Sequence, residues 1–392
     1  MPDSSQRCRQ AVAIAGYGAT TAVGCGVEEL RSALRANTSG LRPCARFDSP
    51  RFQSNIVGAA PPASGKLDED DPAFHLAGVA LQEARAQARD VLASILAERI
   101  GFVLSTTKAN IEALERLSDG RPCGDAARRH MQGDLLAADL AAEHGARGPV
   151  QCVSVACVSG LVALQQGARL IQRGAADAVL VAGVDHLSAF VVAGFTALKA
   201  IDAAGCRPFD RDRRGLSPGE AGAAIVLARA DRVARPAISL CGWGGSNDAN
   251  HMTGPARDGS GLAQAIRAAL QMAELPAPEI DYVNAHGTGT PYNDAMESAA
   301  LHAVFGDGCP PVSGLKGMLG HTLGAAGVVE TIACVLAMEE RRLPGTPGLN
   351  VPAEGVPASV VLEPRSVPRL DHVLKLNTGF GGANGALIFR HG

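Results

Sequence analysis

Aromatic residues are scarce in this sequence: one Trp, three Tyr and ten Phe among 392 residues. A core without many large rings has to be filled by small and branched side chains. The 46 glycines and the abundance of alanine suit helices and strands packed closely in layers. An excess of one charge is also missing, since the formal net charge is −3 with both signs mixed along the chain. That argues against a nucleic-acid-binding or membrane-surface protein. The ten cysteines stand at irregular intervals, with no C-x-x-C pair and no His cluster at zinc spacing. A disulfide framework and a structural metal site are therefore not expected, and reduced thiols in the cytoplasm are. Long apolar runs are lacking too: Met1–Gln10 is polar, and the run that follows is broken by Gly16 and Gly18, so neither a signal peptide nor a membrane span is predicted. Thr322–Met338 carries one charge, Glu330. It is short for a bilayer and reads as a helix buried nearly all round, whose acid needs hydrogen-bond partners or a cation.

What is present centres on Gln151–Gly160. Val150–Val155 alternates as a strand does, while Val158, Leu161, Val162, Ala168 and Ile171 recur at helical spacing, so Cys157 falls where strand becomes helix. The free N–H groups and dipole of a helix start favour a thiolate there. Upstream, Ala11–Ala15 reads as a buried strand, but Thr21 stands where a dinucleotide fingerprint needs its third glycine, which removes that reading. Helices are predicted over Val27–Arg35 and Ala77–Ala97. Strands are predicted at Asn55–Val57, Arg99–Leu104, Ala178–Gly183, Ala223–Ala228, Val360–Pro364 and Val373–Leu376.

The pattern then starts over. Ser239–Gly245 echoes Ile14–Gly18, Ile280–His286 echoes Ile100–Ser105, and the helix after Thr322 takes the place of the helix after Cys157. The order is the same in both parts, which predicts an α/β fold of two duplicated halves, 1–234 and 235–392.

Three further stretches put reactive residue types at the ends of predicted elements. His286 follows a buried strand in the loop Asn284–Thr290; Lys316 and His321 precede the most buried helix; and Gly379–Gly382 is a backbone free to aim N–H groups at a ligand. A cysteine, two histidines and a lysine in such settings favour covalent catalysis at sulfur.

Together these stretches resemble the motifs of the β-ketoacyl-acyl carrier protein synthases, the ketosynthases of fatty acid and polyketide assembly. Ala156–Gly160 resembles the nucleophile motif, and Arg207–Asp210 through Glu220 the middle loop. Asn247–Thr253, His286–Pro291 with Asn293, Asp294 and Glu297, Lys316–Gly327 and Gly379–Asn384 complete the set in the family's order. The resemblance implies the thiolase fold in five αβαβα layers and a decarboxylative Claisen condensation. Cys157 would take an acyl group from a carrier-protein thioester, and His286 and His321 would assist loss of CO2 from malonyl-carrier protein by donating hydrogen bonds to the thioester oxygen. Lys316 would orient or polarise His321. The N–H groups of Cys157 and Phe380 would form an oxyanion hole, with the Phe380 ring as a gate, and Glu330 and Glu297 would support the site structurally. No cofactor or metal is implied, because phosphopantetheine arrives on the carrier protein. Arg128, Arg129, Arg211, Arg213 and Arg214 are candidates for a basic rim that docks the acidic carrier. The resemblance also implies a homodimer, or a heterodimer with a chain-length-factor-like subunit, with no nucleic acid and no membrane span.

Val158 after the nucleophile, Thr378 before the gate, and Gly314, Leu315 and Gly317 around Lys316 depart from the commoner family residues. They point to a specialised pathway, such as an aromatic or aryl-polyene polyketide system, over housekeeping fatty acid elongation. A non-catalytic scaffold or chain-length partner is the other alternative. A degradative thiolase would carry a second cysteine in the C-terminal glycine turn, and none stands there.

Overall fold

The computed structural model describes residues 11–61, 70–233, 238–357 and 359–392. The polar N-terminus read in the sequence and the expected division between 234 and 235 fall outside them.

In the first half, β1 (Val12–Thr21) and α1 (Val27–Ala36) lead to α2 (Pro72–Gln87). Asp71 caps α2 by accepting from Phe74 N–H, and Pro72 at its first turn has no N–H to leave unpaired. There follow β2 (Ile100–Ser105), α3 (Gly133–Glu143), β3 (Val150–Val153), α4 (Ser159–Gln172), β4 (Ala178–Asp185), α5 (Ala189–Ala197) and β5 (Ala221–Arg229). The second half supplies β6 (Ile238–Asn247), α6 (Ser260–Ala273), β7 (Tyr282–Asn284), α7 (Pro291–Phe305), β8 (Val312–Ser313), α8 (Lys316–Leu319), α9 (Ala326–Glu340), β9 (His372–Gly379) and β10 (Ala383–His391).

The strand order carries the duplication. The first half runs β1-β5-β4-β2-β3 and the second β6-β10-β9-β7-β8. In each, the first two pairings are antiparallel and the last two parallel. The two sets meet through a short antiparallel pairing of β1 with β6, Val12 opposite Leu240 and Ala13 opposite Ser239.

Three apolar cores separate the layers. One joins α2 and α3 to the outer face of the first sheet through Leu76, Leu81, Leu136, Phe102 and Leu180. Another joins α6 and α7 to the second sheet through Leu262, Ile266, Leu301 and Ile388. Between the sheets lie α4 and α9, where Leu161, Leu164, Val328 and Ile332 meet Val179, Ile225, Tyr282 and Phe389. The result is α, β, α, β, α, the five layers that the family resemblance implies. The two central helices touch at their glycines: a Cβ on Gly160 would lie 2.8 Å from Gly327 Cα.

Some boundaries differ from expectation. The helix predicted over Ala77–Ala97 ends at Gln87, and a second, five-residue helix occupies Arg89–Ala93. At the break, the Gln87 side chain accepts from Tyr17 N–H, and β1 passes close enough that a Cβ on Gly16 would meet Ala84 and Ala88 backbone atoms. Val360–Pro364 forms no strand; Val360 makes an isolated bridge to Val312. Among the described residues no helix is long and apolar enough to cross a membrane.

Candidate active site

Cys157 sits in the turn between β3 and α4. Ala156 holds a left-handed φ of 45° there, fixed by Ser159 Oγ, which accepts from Val155 N–H at 2.7 Å and donates to Ala156 O at 2.6 Å. The side chain is buried, with Sγ 3.0 Å from His321 Nε2. Burial pushes the thiol up to about 12, opposed by the charge of Lys316. The sequence expectation of a resting thiolate at a helix start is thereby corrected: removal from water outweighs the helix end, and the resting group is a thiol.

His321 lies between α8 and α9. Its backbone is tied to the Cys206–Glu220 loop, donating to Ser217 O and accepting from Gly219 N–H. Leu323 N–H donates to its Nδ1 at 3.3 Å, which leaves the proton on Nε2, facing the sulfur. His286 follows β7. Its backbone N–H and that of Gly287 donate to the Glu297 carboxylate at 2.6 and 2.7 Å, and Asn293 Nδ2 donates to the same group. Its Nδ1 accepts from Asn377 Nδ2 at 2.9 Å and Lys316 Nζ at 3.1 Å, so His286 too carries its proton on Nε2. The imidazoles stand 5.2 Å apart at 79°. Burial, reinforced by the Lys316 charge, holds both histidines well below the ordinary range and therefore neutral.

One ligating atom of each of Cys157, His286 and His321 lies within 4.8 Å of the others, a spacing that a metal ion could use. The surroundings are those of donors, not of a metal. A metal-bound histidine gives its other N–H to an acceptor, whereas here both Nδ1 atoms face donors.

Behind His286 is a buried Lys-Glu-Lys arrangement. Lys316 Nζ contacts Glu330 Oε1 at 2.7 Å and the His286 carbonyl, and Lys375 Nζ contacts Glu330 Oε2 at 2.9 Å. Burial pushes the Glu330 carboxyl up, but the two ammonium groups and their hydrogen bonds hold it below its ordinary value. The acid in α9 thus has the cations its burial demands. The expected partner of Lys316 is corrected: it hydrogen-bonds His286, not His321, because α8 directs its side chain toward the end of β7. Glu297, raised to about 7 by burial and the neighbouring Asp294 charge, fastens the His286–Gly287 backbone.

Sequence reasoning missed Lys375 and Asn377, which alternate along the buried strand β9, and Asp185 at the end of β4. The available signal was a polar residue inside an otherwise apolar strand.

Cys157, His286 and His321 line a cavity of about 570 Å³, together with Thr288, Thr290 and Phe380. Gly379 passes so close to Cys157 that a Cβ there would lie 3.2 Å from Cys157 N. Phe380 follows, 40% exposed, its ring 6.2 Å from that of Phe195. Of the five arginines expected at a basic rim, Arg214 borders the cavity, as does Lys199, which was not anticipated. Arg211 and Arg128 are exposed, each beside an aspartate. Arg129 is held by Asp139 at 2.8 Å. Arg213 is corrected: it is largely buried, 3.5 Å from Asp294 beneath the surface.

Comparison with known proteins agrees along the whole chain. Residues 9–232 match the family model for the β-ketoacyl synthase N-terminal domain and residues 238–350 that for the C-terminal domain. The chain is 33% identical to the tetracenomycin polyketide synthase ketoacyl synthase alpha subunit of Streptomyces glaucescens, covering 98% of each. It is 31% identical to 3-oxoacyl-(acyl-carrier-protein) synthase 2 of Vibrio cholerae, covering 97% of this chain and 99% of that one. Among solved structures, the ishigamide ketosynthase/chain length factor superposes with a TM-score of 0.90 at 32% identity, covering 98% of this chain and 100% of that one. A ketosynthase in complex with its chain length factor from Xenorhabdus doucetiae gives 0.85 at 28%, covering all of both chains.

Proposed function

The chain belongs to the β-ketoacyl synthase family, and from that premise we propose that it condenses an acyl-carrier-protein thioester with malonyl-carrier protein to give a β-ketoacyl-carrier protein. The observation that carries this is the contact of Cys157 Sγ with His321 Nε2, beside a second neutral imidazole, in a cavity lined by both halves.

The cysteine sulfur attacks the acyl thioester, and the N–H groups of Cys157 and Phe380 take the negative charge of the tetrahedral intermediate. The pantetheine thiol leaves with the proton that Cys157 gives up. Malonyl-carrier protein then binds. Its C–CO2 bond breaks, CO2 leaves, and the electron pair is delocalised onto the thioester oxygen as an enolate, to which the Nε2–H groups of His286 and His321 donate hydrogen bonds. Two buried lysines against a single glutamate leave positive potential behind His286, which favours that enolate. The carbanion attacks the acyl carbonyl and the C–S bond to Cys157 breaks, after which the released sulfur takes a proton from water. No free cofactor takes part, since the pantetheine arm comes with the carrier.

Arg214 and Lys199, which border the cavity, with the exposed Arg211, form the rim for the acidic carrier. The working assembly is a dimer, cytoplasmic, with either a second copy or a chain-length-factor-like chain paired at the free edge of β3. Kinship with polyketide ketosynthases, together with Val158 and Thr378 at the site, favours a polyketide or aryl-polyene pathway over housekeeping fatty acid elongation.

The test is incubation with an acyl-carrier-protein thioester followed by intact mass measurement. A single acyl adduct is expected, absent in Cys157→Ala; an unmodified wild-type chain, or product formation undiminished in Cys157→Ala, would overturn the assignment in favour of a scaffold role.

A further inference from the structure

Asp185, at the end of β4, has no task in the mechanism above, yet it is fully buried and richly bonded. Its carboxylate accepts from Thr106 Oγ1 at 2.9 Å, Thr107 Oγ1 at 2.7 Å, Thr107 N–H at 3.1 Å and Gly324 N–H at 2.7 Å. Lys108, its side chain 7% exposed, places Nζ 3.1 Å from the same carboxylate. The contact with Gly324 crosses from the first half to the second. Gly324 belongs to the short turn Leu323–Ala325 that follows His321, and its carbonyl is held from the first half as well, by Ser105 Oγ at 3.0 Å. The approach leaves no space for a side chain: a Cβ on Gly324 would lie 2.8 Å from Asp185 Oδ2 and 2.9 Å from Thr106 Cα.

The same turn fixes the histidine. Leu323 takes a left-handed φ of 51°, unfavourable for a branched residue, and its N–H is the donor that keeps the His321 proton on Nε2. A strained turn persists where its surroundings over-determine it, and Asp185 with Ser105 grips both sides of the residue next to Leu323. The electrostatics run in parallel. The charged groups that face Cys157 are Lys316 and Glu330 from the second half and Asp185 from the first, while His286 and His321 are neutral. The Asp185 charge disfavours the thiolate. Lys108, 3.1 Å from Asp185, carries the opposite charge.

We propose that Asp185, paired with Lys108, is a positioning residue of this site: it seats the Leu323–Ala325 turn so that His321 aims Nε2–H at the sulfur, and the pair balances the charge around Cys157. The role of His321 here rests on the condensing-enzyme reading.

The experiment compares Asp185→Asn, Lys108→Met and the double variant of the full chain. Two quantities are read: the pH dependence of Cys157 alkylation by iodoacetamide, followed by mass, and the condensation kcat and KM. Asp185→Asn leaves Lys108 unbalanced and should move the alkylation profile to lower pH by roughly half a unit or more; Lys108→Met should move it to higher pH; the double variant should return near wild type. In Asp185→Asn, kcat should fall about tenfold or more while KM for the carrier-bound substrate stays within about twofold. Equal-direction shifts, or a fall in kcat with both profiles unmoved, overturn the proposal and leave Asp185 a structural residue. Should Asp185→Asn fail to fold, Lys108→Met decides alone: an upward shift supports the pair, no shift refutes it. A wild-type chain that alkylates at Cys157 but accepts no acyl group refutes the condensing reading itself, which the profiles do not test.

Discussion

At the scale of single residues, the site is defined by which nitrogen carries a proton and by what burial does to sulfur. Leu323 N–H, Asn377 and Lys316 occupy both Nδ1 atoms, so each imidazole can only offer Nε2–H. Replacing His286 by Ala should lower decarboxylation of malonyl-carrier protein by about 10²-fold or more, while acylation of Cys157 falls much less; stopped-flow acylation and CO2 release separate the two. The thiol, pushed up to about 12 by burial, should alkylate faster with every step from pH 7 to 9.5 and show no plateau below pH 8. In Lys316→Met the rate at a given pH should fall further, because the charge that favours the thiolate is gone. A plateau near pH 6 in the wild type would show that the helix end, not burial, dominates.

Elements set those residues in place by approaching closely. The turn before α4 and the turn before α9 bring Cys157 and His321 to the same mouth, and they can do so because the two central helices cross at Gly160 and Gly327. A methyl group on Gly160 would fall 2.8 Å from Gly327 Cα and also against Val328 N, with backbone on the receiving side. Gly160→Ala should therefore destabilise the protein by roughly 1–3 kcal/mol and lower Tm by several degrees. It should cut condensation more than the population of folded protein explains, since the sulfur-imidazole distance is held by this crossing. The sequence pointed to both helices as buried, through Leu161, Val162 and the nearly uncharged Thr322–Met338. It could not say that they cross, because glycine spacing does not name the partner helix.

For the whole molecule, two features outside the site give tests. β3 is an edge strand. Phe102 N–H and Thr106 N–H donate to the carbonyls of Pro149 and Val153, so the alternate residues Val150 and Cys152 turn their backbone groups outward. Cys152→Pro removes one outward N–H and should convert a dimer to monomers in sedimentation, with the fold kept, as proline is tolerated on such an edge. His144, buried at the end of α3 against Gly78, is lowered to about 4 by burial and the nearby Arg85 charge. Because its folded-state value lies below the unfolded one, its neutral form contributes stability in full above about pH 6.5, and this is lost as pH falls toward 4. His144→Phe should thus lose less Tm than the wild type between pH 7 and 4.5, measured by calorimetry.

What the amino-acid order determined by itself was the inventory and its places: two repeated βαβ-rich halves, a cysteine where strand turns to helix, one histidine after a buried strand and another ahead of a buried helix, and an acid in a helix too apolar to leave it unpaired. Local chemistry and periodicity suffice for that, because each depends on neighbours along the chain. Only the tertiary structure decided the pairings. It gave Lys316 to His286 instead of His321, put Lys375 beside Glu330, buried Arg213, and raised the thiol that a helix start alone would have lowered. Each of these depends on desolvation and on groups between about 30 and 160 positions apart, quantities that exist only once the sheets close over the central helices.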